Sequence, residues 1–220
     1  MKRAFFFDMD GVLFDSMPLH AIAWETVMSR HQLPFTARDT YLNEGRTGEA
    51  VIEEAFMTAK QRHATPEEVR TIYEEKTTLF HQLGDAQPID GIAEVLHYVQ
   101  STNCQIWIVT GSAQQSLFDK LDTCFHGVFV RERMVTALDV RHGKPDPEPY
   151  LIAWQRSGLE KEDCVVIENA PMGVQSGKAA GLTVYAVNTG ILTAQDLWEA
   201  GADAVFDDMA QLLQYLSRHR

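Results

Sequence analysis

The feature that most constrains the fold is a series of five short apolar runs, each of which ends beside a polar residue or a glycine. The runs are AFFF (residues 4–7), QIWIVT (105–110), CVVIE (164–168), LTVYAV (182–187) and ADAVF (202–206). They are continuous, which is typical of strands buried on both faces of a parallel sheet. Stretches with helical spacing of apolar residues separate most of them, at residues 90–101, 113–121, 146–157, 171–180 and 193–200. The alternation predicts an α/β fold with a three-layer, doubly wound parallel sheet and right-handed crossovers.

A long segment after the first run interrupts this alternation, because it contains no predicted strand. Apolar residues at helical spacing fill residues 18–31, 47–60 and 66–83. Prolines and threonines mark the ends of these stretches, at Pro18, Pro34, Thr36 and Thr65-Pro66. We therefore predict an α/β core of residues 1–15 and 85–220, with a helical cap of residues 16–84. The cap is expected to cover the carboxyl ends of the strands, where open α/β sheets bind ligands.

The charge and cysteine content argue against several functional classes. The net charge of -12 disfavours a general nucleic-acid binder, which needs clustered lysine and arginine. Three widely spaced cysteines fit reduced thiols better than a disulfide framework or a zinc site. Met-Lys-Arg and four apolar residues are too short for a signal peptide, and no apolar run approaches the roughly 18 residues that span a bilayer. We expect a cytoplasmic monomer with no nucleic-acid or membrane partner.

The first apolar run leads directly into two carboxylates in the segment FFFDMDGVLFDS, residues 5–16. Asp8 and Asp10 are two residues apart at the end of a strand that is expected to be buried. Two nearby like charges repel each other, and burying either of them costs several kcal/mol unless it is neutralised. A divalent cation is the simplest way to neutralise both, so the segment predicts a metal site.

Polar residues follow other predicted strands as well. Because the carboxyl ends of parallel strands lie along one edge of a sheet, we expect these residues to converge with Asp8 and Asp10. They are Thr110, Gly111 and Ser112 after the second run, Lys144 in GKPDPEPY, and Glu168 and Asn169 after CVVIE. Taken singly, the two hydroxyls are also typical of helix caps, and a lone lysine is most often a solvated surface residue.

The chemistry of these groups is complementary. One carboxylate can act as a nucleophile towards phosphorus and form an aspartyl-phosphate, while a second one protonates a leaving oxygen or activates water. A hydroxyl, main-chain N–H groups and a lysine can hold the phosphoryl oxygens. Oxygen ligands from Asp8, the main-chain carbonyl of Asp10, and Asn169 suit Mg²⁺.

The segments DMDGV, VTGS, GKPDPEPY and IENAPMG occur in the same order as the four motifs of the haloacid dehalogenase-type phosphotransferases, which they resemble. The helical insertion after the first motif resembles the cap of the β-phosphoglucomutase-like group. The resemblance covers essentially the whole chain. It implies that Asp8 is the nucleophile and Asp10 the general acid and base. It also implies that Thr110 and Lys144 bind the phosphoryl group, and that Asn169, with Glu168 beside it, completes a Mg²⁺ site.

The chain departs from the mutases in its cap. Where β-phosphoglucomutases have a lysine and an arginine that hold a second phosphate, this sequence has Glu44 and Gly48, and no lysine follows directly after VTGS. Asn169 also replaces an aspartate that is common in the fourth motif. We hypothesise that Glu44 restores negative charge at the metal when the cap closes, and that it disfavours a distal phosphate. The alternative is that Glu44 is a solvated cap residue.

Two further cap residues are candidates for the substrate site. His20 and Trp24 lie one helical turn apart on the first predicted cap helix. By resemblance to the mutases, His20 meets the leaving group and Trp24 forms a wall of the cleft. The alternative for both residues is packing within the cap.

Together these features predict a Mg²⁺-dependent phosphohydrolase that acts through an aspartyl-phosphate on a small phosphorylated metabolite, with inorganic pyrophosphate as the favoured substrate. The alternative enzyme is a β-phosphoglucomutase that interconverts β-glucose 1-phosphate and glucose 6-phosphate. A third possibility is a non-catalytic module that binds phosphate or a metabolite. The intact set of Asp8, Asp10 and Lys144 disfavours that third reading.

Overall fold

A computed structural model describes residues 2–112 and 117–219. Six parallel strands form one sheet in the order β3-β2-β1-β4-β5-β6. The strands are β1 (Ala4–Phe7), β2 (Gln105–Val109), β3 (Met134–Val135), β4 (Cys164–Glu168), β5 (Thr183–Val187) and β6 (Ala204–Phe206). The first apolar run is thus paired on both edges, with β2 and with β4, which explains why it carries no polar residue.

The helices lie on both faces of the sheet and in the segment after β1. They are α1 (Met17–Arg30), α2 (Ala37–Leu42), α3 (Gly48–Lys60), α4 (Pro66–Gln82), α5 (Ile92–Ser101), α6 (Leu117–Cys124), α7 (Glu148–Ser157), α8 (Pro171–Ala179), α9 (Ala194–Glu199) and α10 (Met209–Arg218). Successive β1 side chains point to opposite faces. Phe5 and Phe7 join a cluster with residues of α5, α6 and α10, and Phe6 joins one with residues of α7, α8 and α9. The predicted three-layer α/β fold is confirmed.

The sequence did not predict β3, α2 or α10. The two residues of β3 are too few to form a recognisable run, and they become a strand by pairing with the edge of β2. A capping box between Thr36 and Asp39 begins α2, which is six residues long and therefore shows little periodicity. The predicted helix over residues 113–121 lies partly outside the described residues, and α6 is described from Leu117.

Helices α1, α3 and α4 pack around an apolar cluster of their own, separate from the two clusters against the sheet. Its buried members are Trp24, Val27, Met28, Leu33, Val51, Ile52, Ala55, Phe56 and Ile72. The chain enters and leaves this helical segment side by side. The main-chain N–H of Asp15 donates to the carbonyl of Gln87 at 2.8 Å, and that of Ile89 donates to the carbonyl of Leu13 at 3.0 Å. In the described part of the chain, no helix combines the length and apolar character needed to cross a membrane.

The predicted boundary between core and cap leads to a test with Phe56→Ala. Phe56 is 1% exposed inside the helical cluster, so its truncation is expected to cost about 3–5 kcal/mol. If residues 16–84 form a unit, amide hydrogen exchange will accelerate in α1, α3 and α4 and stay slow in β1 and β4. Phe6→Ala, which opens an equivalent space under the sheet, serves as the control and is expected to accelerate exchange in the strands. Equal acceleration in both parts of the Phe56→Ala protein would contradict the predicted boundary.

Candidate active site

The carboxyl ends of β1, β2 and β4 bring the predicted site residues together. The main-chain N–H of Asp8 extends the β1–β4 pairing by donating to the carbonyl of Ile167 at 3.0 Å. At the end of β2, the N–H of Thr110 extends the β2–β3 pairing by donating to the carbonyl of Val135 at 2.9 Å. The hydrogen bonds of the sheet therefore fix the main-chain positions of Asp8 and Thr110, from which their side chains extend into the site.

Lys144 connects these strand ends. Its ammonium group donates to Oδ1 of Asp8, to Oε1 of Glu168 at 2.6 Å and to the carbonyl of Val109 at 3.1 Å. All three charged side chains are almost fully buried. Burial lowers the pKa of the lysine, but the Asp8 and Glu168 carboxylates outweigh it and raise this pKa above its usual value. Lys144 is thus held as a permanent cation beside the predicted nucleophile.

Glu168 holds Lys144 in this position. Its Oε1 accepts a second hydrogen bond from the Tyr150 hydroxyl at 2.7 Å, and its Oε2 accepts from the main-chain N–H of Asn169 at 3.0 Å. Both oxygens of this carboxylate are therefore engaged by the protein. The direct metal-ligand role expected for Glu168 stays a prediction, and the observed contacts fit support of Lys144 equally well.

Three buried oxygens around Asp8 lack a hydrogen-bond partner within the described residues. They are Oδ2 of Asp8, Oε1 of Glu44 and Oδ1 of Asn169. Unpaired buried acceptors are costly, and carboxylate and amide oxygens are the ligands that Mg²⁺ prefers. The donor set therefore fits a magnesium ion. Glu44 joins this group of oxygens from the segment after β1, and its Oε2 accepts a hydrogen bond from the side-chain amide of Asn169 at 3.0 Å.

The charges of the buried carboxylates also indicate a site for a cation. Burial raises the pKa of the Asp8 carboxyl, and Glu168 and Asp10 raise it further against the opposing effect of Lys144. Burial also raises the pKa of Glu44 well above its usual value, with contributions from Asp8 and Glu168. These carboxylates outnumber the nearby ammonium, so a divalent cation would favour their ionised forms.

The loop that carries Glu44 lies directly on the core. Gly45 has a φ of +86°, and a Cβ at this position would lie 2.7 Å from Cδ of Lys144. A side chain here would therefore both strain the backbone and displace the lysine. The loop thus closes over the charged group, and Glu44 is only 9% exposed.

Asp10 faces a different set of partners. The Ser16 hydroxyl donates to its Oδ1 at 2.5 Å, and Nε2 of His20 lies 3.5 Å from the same oxygen. Burial raises the pKa of Asp10, but the hydrogen bonds from His20 and Ser16 and the charge of Lys76 outweigh it and lower this pKa to about 2. The side chain is turned towards these partners, which leaves the main-chain carbonyl of Asp10 as the oxygen it can offer to a metal.

From the sequence, Lys76 is only a cation that, with Arg46, could compensate for the missing mutase lysine, and the structure places it in the wall of the cavity. Its ammonium lies 2.7 Å from Nδ1 of His20, and the His20 ring stacks on Phe80 with 4.2 Å between centroids. Within the described ranges, no carboxylate lies at salt-bridge distance from Lys76. Burial lowers its pKa to about 8. One sequence feature could have indicated that Lys76 is buried. It lies four residues after Ile72, which is fully buried, and residues four apart share one face of a helix.

A cavity of about 360 Å³ lies between these groups. The predicted site residues that line it are Asp8, Asp10, His20, Trp24, Glu44, Gly111 and Ser112. Thr110 is buried, and its hydroxyl accepts from the main-chain N–H of Ser112 at 3.1 Å. Trp24 both lines the cavity and belongs to the helical cluster, so its two predicted roles are compatible. The structure thus brings all the predicted residues to one region, while their roles stay predictions.

Comparison with known proteins identifies the family. The model of the haloacid dehalogenase-like hydrolases matches residues 2–181. The chain belongs to this family. It is 31% identical to a phosphorylated carbohydrates phosphatase of Thermotoga maritima, over 92% of this chain and 93% of that protein. Hexitol phosphatase A of Escherichia coli is 32% identical, over 84% of this chain and 83% of that enzyme.

Solved structures agree with this assignment. A Bacteroides vulgatus protein provisionally described as a β-phosphoglucomutase is 41% identical, with a TM-score of 0.94 over 98% of this chain and 88% of that chain. The predicted family and its β-phosphoglucomutase-like group are therefore confirmed. The prediction of an enzyme of the phosphatase type is confirmed at the level of the family.

The buried ammonium of Lys76 leads to a prediction about stability and pH. Its pKa is 10.5 in an unfolded chain and about 8 in the folded one, so the unfolded state binds more protons between these values. The contribution of Lys76 to the free energy of unfolding therefore rises with pH across this window. Lys76→Met is expected to be more stable than the wild type by roughly 3 kcal/mol at pH 7, and the difference should shrink towards pH 10.

Urea unfolding in phosphate-free and metal-free buffer measures this difference. Lys178→Met is the control, because Lys178 pairs with Asp203 at the surface and its loss should change stability by less than about 1 kcal/mol. If Lys76→Met and the wild type were equally stable at every pH, burial of the Lys76 ammonium would have no cost, and the prediction would be wrong.

Proposed function

We propose that the chain is a Mg²⁺-dependent phosphohydrolase that acts through an aspartyl-phosphate, with inorganic pyrophosphate as its favoured substrate. The observation that carries the proposal is the pair of carboxylates of opposite character at one cavity. Asp8 is buried against the cation Lys144, and Asp10 is surrounded by the proton donors Ser16 and His20. Such a pair suits a division into nucleophile and general acid–base.

The first chemical step transfers the phosphoryl group to Asp8. A carboxylate oxygen of Asp8 forms a bond to phosphorus as the bond to the leaving oxygen breaks, and Asp10 gives its proton to that oxygen. Asp10 must first be protonated, and a bound anionic substrate raises its pKa in the required direction. Lys144 and the Thr110 hydroxyl bind the phosphoryl oxygens.

The second step returns the enzyme to its starting state. Asp10 takes a proton from a water molecule, the water oxygen bonds to phosphorus, and the bond between phosphorus and Asp8 breaks to release orthophosphate. A magnesium ion held by Asp8, Asn169 and the main-chain carbonyl of Asp10 would supply positive charge for the phosphoryl oxygens. We further propose that residues 16–84 act as the cap that excludes bulk water while this occurs.

The placement of charge around the cleft, with Lys76 on the Asp10 side and no cation of the described residues at the distal position, supports pyrophosphate as the substrate. The leaving group of pyrophosphate is itself a phosphate, and it would depart on the Asp10 side, where Lys76 lies behind His20. Arg46 does not serve as a distal phosphate ligand in this arrangement, because it pairs with Glu54 and donates to Asn43. Glu44 occupies the position of the mutase lysine and contacts Asn169, which disfavours a second phosphate there.

A second candidate is hydrolysis or isomerisation of a sugar phosphate. The cavity of about 360 Å³ exceeds what two small phosphates require, and aromatic walls are typical of sites that bind organic ligands. Its aromatic lining comprises Phe14, Trp24, Phe35, Tyr73 and Phe80. Two relatives are described as phosphatases of carbohydrate and hexitol phosphates, and others as β-phosphoglucomutases. These observations are the reason to keep an organic leaving group as the second candidate.

³¹P NMR with Mg²⁺ distinguishes the candidates. We expect rapid orthophosphate release from pyrophosphate and little change in β-glucose 1-phosphate. Orthophosphate release from sugar phosphates alone would replace pyrophosphate as the substrate, and formation of glucose 6-phosphate without orthophosphate would establish a mutase. Asp8→Asn is the control, because it should abolish turnover of every substrate and retain ligand binding. Undiminished turnover by Asp8→Asn would refute the aspartyl-phosphate mechanism.

The position of Glu44 predicts a change in the magnesium requirement. Glu44→Gln keeps the size of the side chain and removes its charge, so the Mg²⁺ concentration for half-maximal turnover should rise roughly tenfold. Glu49→Gln, which alters an exposed carboxylate at the start of α3, is the matched control. An unchanged magnesium titration in Glu44→Gln, with unchanged turnover, would show that this carboxylate does not act at the metal.

A further inference from the structure

The helical segment contacts the core at a second place, on the short helix α2. Tyr41 of α2 is buried together with Met17 and Ala21 of α1 and with Leu192, which lies between β5 and α9. This small cluster belongs neither to the sheet clusters nor to the cluster of α1, α3 and α4. One face of α2 is thus attached to the core by apolar packing.

Gly190 allows this attachment. A Cβ at position 190 would lie 2.6 Å from Cε1 and 2.8 Å from Cδ1 of Tyr41. Gly190 does not have a positive φ, so its backbone conformation is open to alanine. The requirement for glycine therefore comes from the close approach of the Tyr41 ring, which packs directly against the main chain of Gly190.

An ion pair at the edge of the cluster fixes the same helix. Nη2 of Arg38 lies 2.7 Å from Oδ1 of Asp196, the third residue of α9. The Asp196 carboxylate is itself held in place, because its Oδ2 accepts from the main-chain N–H of Thr193 at 2.8 Å and from the Thr193 hydroxyl at 2.7 Å. A carboxylate that already has a fixed orientation loses little freedom when it pairs, so this contact limits how α2 can slide.

Glu44 lies two residues after the end of α2. The helix ends at Leu42, and the side-chain amide of Asn43 donates back to the carbonyl of Asp39 at 2.9 Å, which ties the next residue to the helix. Glu44 then places its Oε2 3.0 Å from the Asn169 amide. A displacement of α2 is therefore transmitted to the carboxylate over a path of two residues.

We propose that Tyr41, seated on Gly190, is a positioning residue that sets the contact between Glu44 and Asn169, with the Arg38–Asp196 ion pair supporting it. The contact selects the closed arrangement of the cap by geometry and does not touch the substrate. This inference rests on the proposed function where activity is concerned, since Glu44 is there assigned to the metal. The claim that α2 positions Glu44 depends only on the contacts of α2 and not on the proposed function.

The test is Gly190→Ala, combined with Tyr41→Leu in a double-mutant cycle. The added methyl group must push the tyrosine ring aside, so we expect amide exchange of residues 36–47 to accelerate and kcat/KM to fall on the order of tenfold. The Mg²⁺ concentration for half-maximal turnover should rise as well, which a loss of general stability would not cause. In the Tyr41→Leu background, Gly190→Ala should have little additional effect.

Gly158→Ala is the control. Gly158 has a φ of +68° at the end of α7 and nothing within 4 Å of an added Cβ, so alanine there strains the backbone without touching α2. It should reduce stability while leaving exchange of residues 36–47 and the magnesium titration unchanged. Arg38→Ala should accelerate the same segment more weakly, because the guanidinium is half exposed.

Two outcomes would overturn the inference. One is that Gly190→Ala has the same effect with and without Tyr41, because the ring would then not mediate it. The other is that exchange of residues 36–47 does not change in Gly190→Ala. If exchange changes as expected but no substrate is turned over by the wild type, the proposed function fails and the positioning contact stands.

Discussion

The buried contact of Lys144 with Asp8 and Glu168 is the interaction on which the site depends. A buried ammonium is stable only when carboxylates surround it, and a buried carboxylate equally needs a cation. The three side chains come from the ends of β1 and β4 and from the segment before α7, so the contact also joins these elements. Tyr150 and the main-chain N–H of Asn169 complete the hydrogen bonding of Glu168. The side chain of Asp8, the proposed nucleophile, is thereby held in place by the protein itself.

This arrangement leaves a surplus of negative charge, and the surplus explains why a metal ion suits the site. Asp8, Glu44 and Asn169 each present one buried oxygen that has no partner among the described residues. Glu44 arrives from the helical segment and so ties the position of that segment to the charge at the strand ends. Closing the cap and completing the metal site become one event in this interpretation.

Asp10 shows how the same short segment places a second carboxylate in a different environment. It lies two residues from Asp8, yet its side chain contacts Ser16 and His20, and His20 contacts Lys76. Burial raises the pKa of both aspartates, but the hydrogen bonds from His20 and Ser16 and the charge of Lys76 lower the pKa of Asp10 overall. Two aspartates in one short segment thus acquire different properties from different neighbours. Ser16 lies directly before α1, His20 lies in α1 and Lys76 lies in α4, so the helical segment sets the electrostatic environment of Asp10.

The sequence by itself determined the class of fold and the residues at the strand ends. Continuous apolar runs have no side that tolerates water, so β1, β2, β4 and β5 had to lie inside a parallel sheet, and the residues after them had to meet at one edge. β3 was invisible, because a two-residue strand exists only through its pairing with β2.

The tertiary structure alone decided which charges meet. Lys76 and His20 are 56 residues apart, and Glu44 and Asn169 are 125 apart, so no local spacing reveals either contact. The engagement of both Glu168 oxygens and the seat of Tyr41 on Gly190 likewise depend on how separate elements pack. The spacing of apolar residues along the sequence predicts which residues are buried, because burial depends on the position of a residue on one helix or strand. The identity of its partner follows from the arrangement of several elements, which only folding sets.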